Sequence, residues 1–597
     1  MAQITINGKQ FEAKDNSTIM EAAKDAGIHI PNLCFLQDIH RYGTCRICSV
    51  EVEGMKNLQP SCMLNVRDGM VITTNSKVVR ETRKVLYELL LADHPTDCLN
   101  CLRNQSCELQ DLGYELGVTT SRFGGERSKN YKDISLSITR DTSKCILCRR
   151  CETVCNEIQQ VGAIAAQDRG FQTNISPSMG LPLNSTACAM CGQCTIVCPT
   201  GALSETDGIT PVFEAIADQT KRVIVQVAPA VRAALGEEFG LPVGTPVTGK
   251  MASALHELGF DDVFDTLFAA DLTILEEGME LLGRLQAVLR DGAKASLPMI
   301  TSCSPGWIKH VEHQFPDALD HLSTCKSPHT MMGAVIKSYY ANKLQMDPKE
   351  IYVVSVMPCT AKKYEIKRPE MEVDGIRDVD AVLTTRELAR MIKTQGIDFL
   401  HLPDGEFDAP LGISTGAADI FGVTGGVMEA ALRTVYELVT GREIPFEGLH
   451  VTPIVGLDQI KTASLTIENP LPAFDYLDGI TVSVAVTSGL EGASILMEDV
   501  NSGNSPYHFI EVMGCPGGCI NGGGQPRSRE DGYREKRMNA IYSEDERKVL
   551  RKSHENPDLL ALYQNYLGEI NGHRAHHLLH THYVPRGRYN ERQNSTK

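Results

Sequence analysis

Residues 145–155, CILCRRCETVC, and residues 188–199, CAMCGQCTIVCP, decide how the N-terminal third of this chain folds. Each holds C-x2-C-x2-C-x3-C, and the stretches 140–155 and 183–198 form an internal repeat of period 43. An iron–sulfur cubane needs four thiolates converging on one cluster. In runs of this spacing three come from one tight loop and the fourth crosses to the other cluster. One cluster then takes Cys145, Cys148, Cys151 and Cys198, and the other Cys188, Cys191, Cys194 and Cys155. Zinc is the competing reading of eight such thiols, and two runs with the crossing pattern favour two [4Fe–4S] clusters.

Working outward, fifteen of the twenty cysteines precede residue 200, and none lies between Cys198 and Cys303. Buried structural thiols would scatter, whereas clustered ones in a long chain without a secretory signal are metal ligands. Cys34, Cys45, Cys48 and Cys62 follow C-x10-C-x2-C-x13-C, which fits a [2Fe–2S] cluster with a long first gap or a four-cysteine zinc site. His94, Cys98, Cys101 and Cys107 give H-x3-C-x2-C-x5-C. Zinc on three cysteines and a histidine competes there with an iron–sulfur cluster.

The 597 residues suggest roughly four domains. A formal net charge of −17 argues against nonspecific binding to nucleic acid or an anionic membrane. The start, MAQITINGKQ, carries no signal peptide, and no apolar run reaches membrane-span length, so a cytoplasmic protein is expected. Residues 3–8 (QITING) and 70–73 (MVIT) read as strands, and SKVVRETRKVLYELLLADHP as a helix ending before Pro95. Beyond residue 220, RVIVQVAP, EIYVVSVMP and DGITVSVAV alternate with helical stretches such as TRELARMIKT, the pattern of α/β layers with buried strands. The cysteine-rich and globular portions meet near residues 204–212, and the tail from 584 is expected to be polar and frayed.

The late cysteines fall in distinctive motifs, three of them at strand ends or glycine turns (Cys359, Cys515 and Cys519). Cys359 lies in VMPCTAKKYE, Cys515 and Cys519 in EVMGCPGGCINGGGQP, and Cys303 in ITSCSPGW. Glycines there let backbone approach a bulky inorganic group, and strand ends of an α/β sheet present ligand-binding residues.

With these motifs in order, the chain resembles the [FeFe]-hydrogenases over nearly its whole length. IFGVTGGVMEAALR and RKSHENPDLLALYQNYLG are also similar to family segments. The resemblance implies a β-grasp [2Fe–2S] ferredoxin-like domain over 1–78, a small His-ligated [4Fe–4S] domain over 79–125 and a 2[4Fe–4S] ferredoxin-like domain over 126–210. A two-lobed α/β H-cluster domain follows over 211–583, then the tail 584–597. It implies one [2Fe–2S], three [4Fe–4S] and one H-cluster, a cubane joined to a di-iron unit carrying CO, cyanide and azadithiolate. Carried over by motif, Cys359, Cys515 and Cys519 ligate the cubane, with Cys519 the bridge. Lys362, supported by Glu365, donates to a cyanide, and Met357 and Met513 pack against the di-iron unit. Cys303 is the proton-transfer thiol, and Glu277, Glu280 and Ser323 continue the proton relay.

One departure stands out. The family's TSCCPGW has a second cysteine as cubane ligand, where this chain has Ser304. Cys325, in HLSTCKSPH, is the cysteine without an address, and we expect it to replace the lost ligand. Ser304 ligation, or Cys303 turning to the cubane, are the alternatives. The resemblance further implies the reaction H2 ⇌ 2 H+ + 2 e− in an anaerobic cytoplasm, with maturation proteins supplying the di-iron unit. Without G-x-G-x-x-G after a strand, or a P-loop, nicotinamide and flavin belong to partner subunits, with electron bifurcation. A stand-alone enzyme trading electrons with ferredoxin is the alternative. A hydrogen sensor, a respiratory electron-transfer subunit and an iron–sulfur assembly protein are less favoured, since none needs Lys362 together with Cys303 and the glutamates.

Overall fold

A computed structural model describes residues 1–128 and 131–587, which fall into two compact units. The first comprises Met1–Thr186 and Gln193–Ser204, and the second Ala187–Gly192 and Glu205–Lys597.

In the first unit, Ala2–Ile6 and Lys9–Ala13 pair antiparallel around a turn whose residues Asn7 and Gly8 both have positive φ. That backbone is the one a two-residue hairpin needs, and Asn-Gly adopts it cheaply. Val71–Thr73 runs parallel to the first strand and antiparallel to Ser49–Val52, and Gln59–Pro60 closes a five-stranded mixed sheet. The helix Ile19–Asp25 starts in a capping box of Thr18 and Glu21, and buries Ile19, Met20, Ala22 and Ala23. Lys77–Ala92 is the helix expected from the apolar spacing, capped by Ser76, whose side chain accepts from Val79 N.

The second unit holds two four-stranded sheets. Arg222–Val227, Asp262–Asp265, Ile351–Met357 and Ala381–Thr384 form an all-parallel sheet, its order placing Asp262–Asp265 and Ala381–Thr384 at the edges. Its strands are nearly continuous apolar runs because helices cover such sheets on both faces. The second sheet runs Met299–Ile300, Phe509–Met513, Thr481–Ser488, Ile460–Thr466, with only the last pair antiparallel. Each sheet carries its own apolar core: Val225, Phe264 and Val354 in one, Val486, Phe509 and Met428 in the other. The 23-residue helix Leu267–Leu289 contributes to both, through Phe268 and Leu272 to the first and Ile274 and Leu281 to the second.

The expected tail begins with anchored residues. Val584 N and Arg586 Nε donate to Glu312, the latter at 2.6 Å, so fraying does not begin at 584. Its remainder, 588–597, lies outside the described residues. No helix among the described residues is long and apolar enough to cross a membrane.

Candidate active site

Two strands of the second unit deliver the same motif to their C-terminal ends. Ile351–Met357 is followed by Pro358 and Cys359, and Phe509–Met513 by Gly514 and Cys515. Met357 and Met513 are both buried at these ends. The glycine loop then turns back on the first motif: a Cβ on Gly522 would lie 2.2 Å from Pro358 O. Only glycine allows that approach, and Cys519 is carried with it. Burial raises the Cys519 thiol to about 12, with the Cys359 charge as the next contribution.

Lys362, on the short helix Ala361–Glu365, donates to the Cys303 carbonyl at 3.0 Å and pairs with Glu365 at 2.9 Å. Glu365 is buried and also meets His329 Nε2 at 2.7 Å. Burial would push the Glu365 carboxyl up, but Lys362 and His329 outweigh it and hold it well below the usual range. The ammonium is thereby fixed beside Cys303, between a carboxylate and a backbone carbonyl. His329, which carries no signal in the sequence, is the residue that completes this arrangement.

From Cys303 a file of polar groups runs along the long helix. Cys303 is half-buried, and burial followed by the Glu277 charge raises its thiol far above normal. Glu277 is buried and raised to about 8, chiefly by desolvation, while its hydrogen bond with Ser323 opposes the shift. Ser323 Oγ donates to Glu280 at 3.2 Å, and Glu280 pairs with Arg284 at 2.7 Å. Arg284 was not singled out in the sequence, although its i+4 spacing from Glu280 was the available signal.

Cys325 is fully buried, and its Sγ lies within 4.8 Å of donor atoms on Glu280 and His580, among carboxylates. Ser304 Oγ accepts from Gly514 N at 3.0 Å, one residue before Cys515.

The accessory cysteines also gather. In the first unit Cys34 shares hydrogen bonds with Cys45 and Cys62, and Cys48 Sγ lies 3.4 Å from Cys62 Sγ. Four thiols linked pairwise by hydrogen bonds, three of them buried, fit an iron–sulfur cluster's donor set. His94 is buried with its Nδ1 unpartnered among the described residues, and burial lowers its pKa to about 4. A neutral imidazole with an orphaned nitrogen suits a ligand role. Charge coupling places Cys107 near Cys101 and Tyr87 near both Cys98 and Cys107. Cys145, Cys148, Cys151 and Cys198 line one cavity. In the second unit the segment Ala187–Gly192, carrying Cys188 and Cys191, packs against the active-site loops. Thr360 Oγ1 donates to Met190 O at 2.7 Å, and a Cβ on Gly523 would sit 2.2 Å from Cys191 O.

The second unit thus brings cysteines past its strand ends, a buried lysine on a short helix and a glutamate file on its long helix into a two-sheet domain of the hydrogenase catalytic class. The chain belongs to the [FeFe]-hydrogenase family: residues 221–523 match the iron only hydrogenase large subunit, C-terminal domain. Residues 531–586 match the iron hydrogenase small subunit, here continuous with the large one. Further matches are a 2Fe-2S iron-sulfur cluster binding domain over 1–77, the NADH-ubiquinone oxidoreductase-G iron-sulfur binding region over 83–122, and a 4Fe-4S dicluster domain over 144–202. The chain is 52% identical to the NADP-reducing hydrogenase subunit HndD of Solidesulfovibrio fructosivorans, over 98% of this chain and 100% of that protein. It is 41% identical to iron hydrogenase 1 of Clostridium pasteurianum, over 98% and 100%. Among solved structures, the [FeFe]-hydrogenase HydA1 of Chlamydomonas reinhardtii aligns with a TM-score of 0.57 at 45% identity, covering 64% of this chain and all of that one. The protein is a hydrogenase carrying iron–sulfur clusters.

Proposed function

We propose that this chain is the catalytic subunit of a multimeric NAD(P)-linked [FeFe]-hydrogenase, interconverting H2 with protons and electrons. The observation that carries the catalytic part is Lys362 bonded to the Cys303 carbonyl, at the head of the file Glu277–Ser323–Glu280–Arg284. Cys359, Cys515 and Cys519 would hold the cubane of an H-cluster, with Ser304 Oγ at the fourth position. The H-cluster, when bound, supplies the heterolytic chemistry of hydrogen and the electron exit.

The chain's own residues move the proton. The Cys303 thiol, kept protonated chiefly by burial, donates to the reacting centre, and as thiolate accepts from it. Glu277 exchanges that proton and passes it through the Ser323 hydroxyl to Glu280, which Arg284 holds at the partly exposed end. Such hops work when neighbouring groups have matched proton affinities, and a glutamate raised to about 8 is suited to neutral pH. Lys362 orients and stabilises anionic ligand groups, with Met357 and Met513 excluding water.

Electrons would leave through the clusters of Cys145, Cys148, Cys151, Cys198 and of Cys188, Cys191, Cys194, Cys155. The Cys34 and His94 sites would add exits toward flavin- and NAD(P)-binding partner subunits, with bifurcation to ferredoxin as the coupled reaction. The 52% identity to an NADP-reducing hydrogenase subunit favours this over the stand-alone alternative. Infrared spectra of the matured protein under hydrogen and then carbon monoxide test the catalytic part. Cyanide and metal-carbonyl bands that shift between gases are expected, and their absence from iron-replete, matured protein would overturn it. Copurification of a flavoprotein that reduces NAD(P) with hydrogen tests the partner.

A further inference from the structure

We propose that Glu280, Cys325 and His580 form an inhibitory zinc site that closes the proton route at its outer end. The inhibitory part rests on the relay proposed above; the metal site itself does not.

The three donors come from separate stretches of chain and are fixed independently. Cys325 and His580 are opposite one another in an isolated antiparallel bridge. Lys326 N donates to Leu579 O at 2.8 Å and Thr581 N to Thr324 O at 2.7 Å, so backbone holds the two side chains as a cross-strand pair. Glu280 reaches the same place from the long helix, accepting from Thr324 N at 3.0 Å and pairing with Arg284 through Oε1. One ligand atom from each lies within 4.8 Å of the others. Tetrahedral zinc, with bonds of about 2.0–2.3 Å, spaces its ligands by about 3.3–3.8 Å, so a contraction of about 1 Å closes the site.

The donor set is the kind zinc prefers: a thiol, an imidazole and a carboxylate, with a fourth place left for water. What stands behind His580 strengthens the case. Its Nε2 meets Glu276 Oε2 at 3.1 Å, and Glu276 is itself buried and held by Tyr563 and by Asn571 N at 2.9 Å. A carboxylate taking one ring N–H fixes the tautomer and leaves Nδ1, which faces Thr324 at 2.7 Å, as the basic nitrogen. Glu280 Oε2, bonded to Ser323 and Thr324, is the oxygen a metal would take, leaving Oε1 on Arg284. Glu280 is also the partly exposed member, with 13% of its side chain open, and so provides the entry.

Zinc binding here is a substitution: Zn2+ displaces the Cys325 thiol proton to solvent and forms the Zn–S bond, with no change of oxidation state. The carboxylate that hands protons to the surface then becomes a metal ligand, and turnover stops without damage to the clusters.

The test uses iron-replete, matured enzyme titrated with Zn2+, read by bound zinc, zinc-edge X-ray absorption and hydrogen evolution from a reduced dye. The expected result is one zinc with a single sulfur ligand, unchanged iron content, and turnover falling in step with occupancy. Cys325→Ala and His580→Gln should each weaken zinc binding by about 10–100-fold. Zinc without a sulfur ligand, or uptake unaffected by both substitutions, overturns the site. Sulfur-bound zinc with undiminished turnover upholds the site and removes Glu280 from the proton route.

Discussion

Ser304 Oγ accepts a hydrogen bond from Gly514 N at 3.0 Å, which sets a hydroxyl where the family pattern has a thiolate and directly before Cys515. Cys325 keeps different company, next to Glu280 and His580. Cys325→Ala should therefore retain the cubane, with full iron and unchanged infrared bands. Ser304→Ala should lower cubane occupancy, and Ser304→Cys should restore or raise it. Iron analysis and electron paramagnetic resonance check this; loss of the cubane in Cys325→Ala would return that cysteine to the ligand set.

Glu277 gives a prediction with two readouts. Glu277→Gln removes a proton carrier, so turnover should fall by about 10²–10⁴-fold while the infrared bands persist. Because the folded protein holds the Glu277 proton up to about pH 8, well above the unfolded value of 4.5, the native state binds more protons between those limits. Its stability contribution is intact below about 4.5 and lost as pH rises through 8, by order 4–5 kcal/mol. Glu277→Gln should thus narrow the drop in denaturation midpoint between pH 5 and pH 8.5. An unchanged drop would mean that Glu277 is ionised in the folded protein.

The Lys362–Glu365–His329 group is buried, and removing one member leaves an uncompensated charge. Glu365→Ala should destabilise the protein by about 3–5 kcal/mol, read from denaturant midpoints, and should broaden or shift the cyanide bands because Lys362 loses its anchor. Full stability together with unshifted bands would show that Lys362 is positioned without Glu365.

The secondary structure and the main motifs were legible because they are local. Apolar runs such as EIYVVSVMP become buried parallel strands, and Asn7-Gly8 makes the hairpin turn its chemistry requires. The placement of Cys359 and Cys515 just past buried strands was legible because the apolar runs before them mark those strands. The surroundings of Cys325 were not legible because its bridge partner is His580, some 250 residues on, and a single bridge between distant segments leaves no periodic trace. His329 was missed for the same reason: its role depends on a carboxylate 36 residues away on another helix.

His94 permits a last prediction that separates metal from packing. Its Nδ1 is buried without a partner among the described residues, and burial, followed by the Lys144 and Arg127 charges, lowers the ring to about 4, so it is neutral at physiological pH. A buried nitrogen left unbonded costs about 1–3 kcal/mol unless something completes it. If an iron–sulfur cluster does so, His94→Ala should remove about four irons per chain and one reduced-cluster resonance signal. Hydrogen evolution from a small reduced dye should stay within about threefold of wild type, because the catalytic residues belong to a separate stretch of chain, while hydrogen-driven reduction of the partner's acceptor should fall further. His94→Cys, offering a thiolate in the same place, should recover the iron with an altered signal. Full iron in His94→Ala would instead make His94 a packed residue, and zinc found there in place of iron would make the site structural.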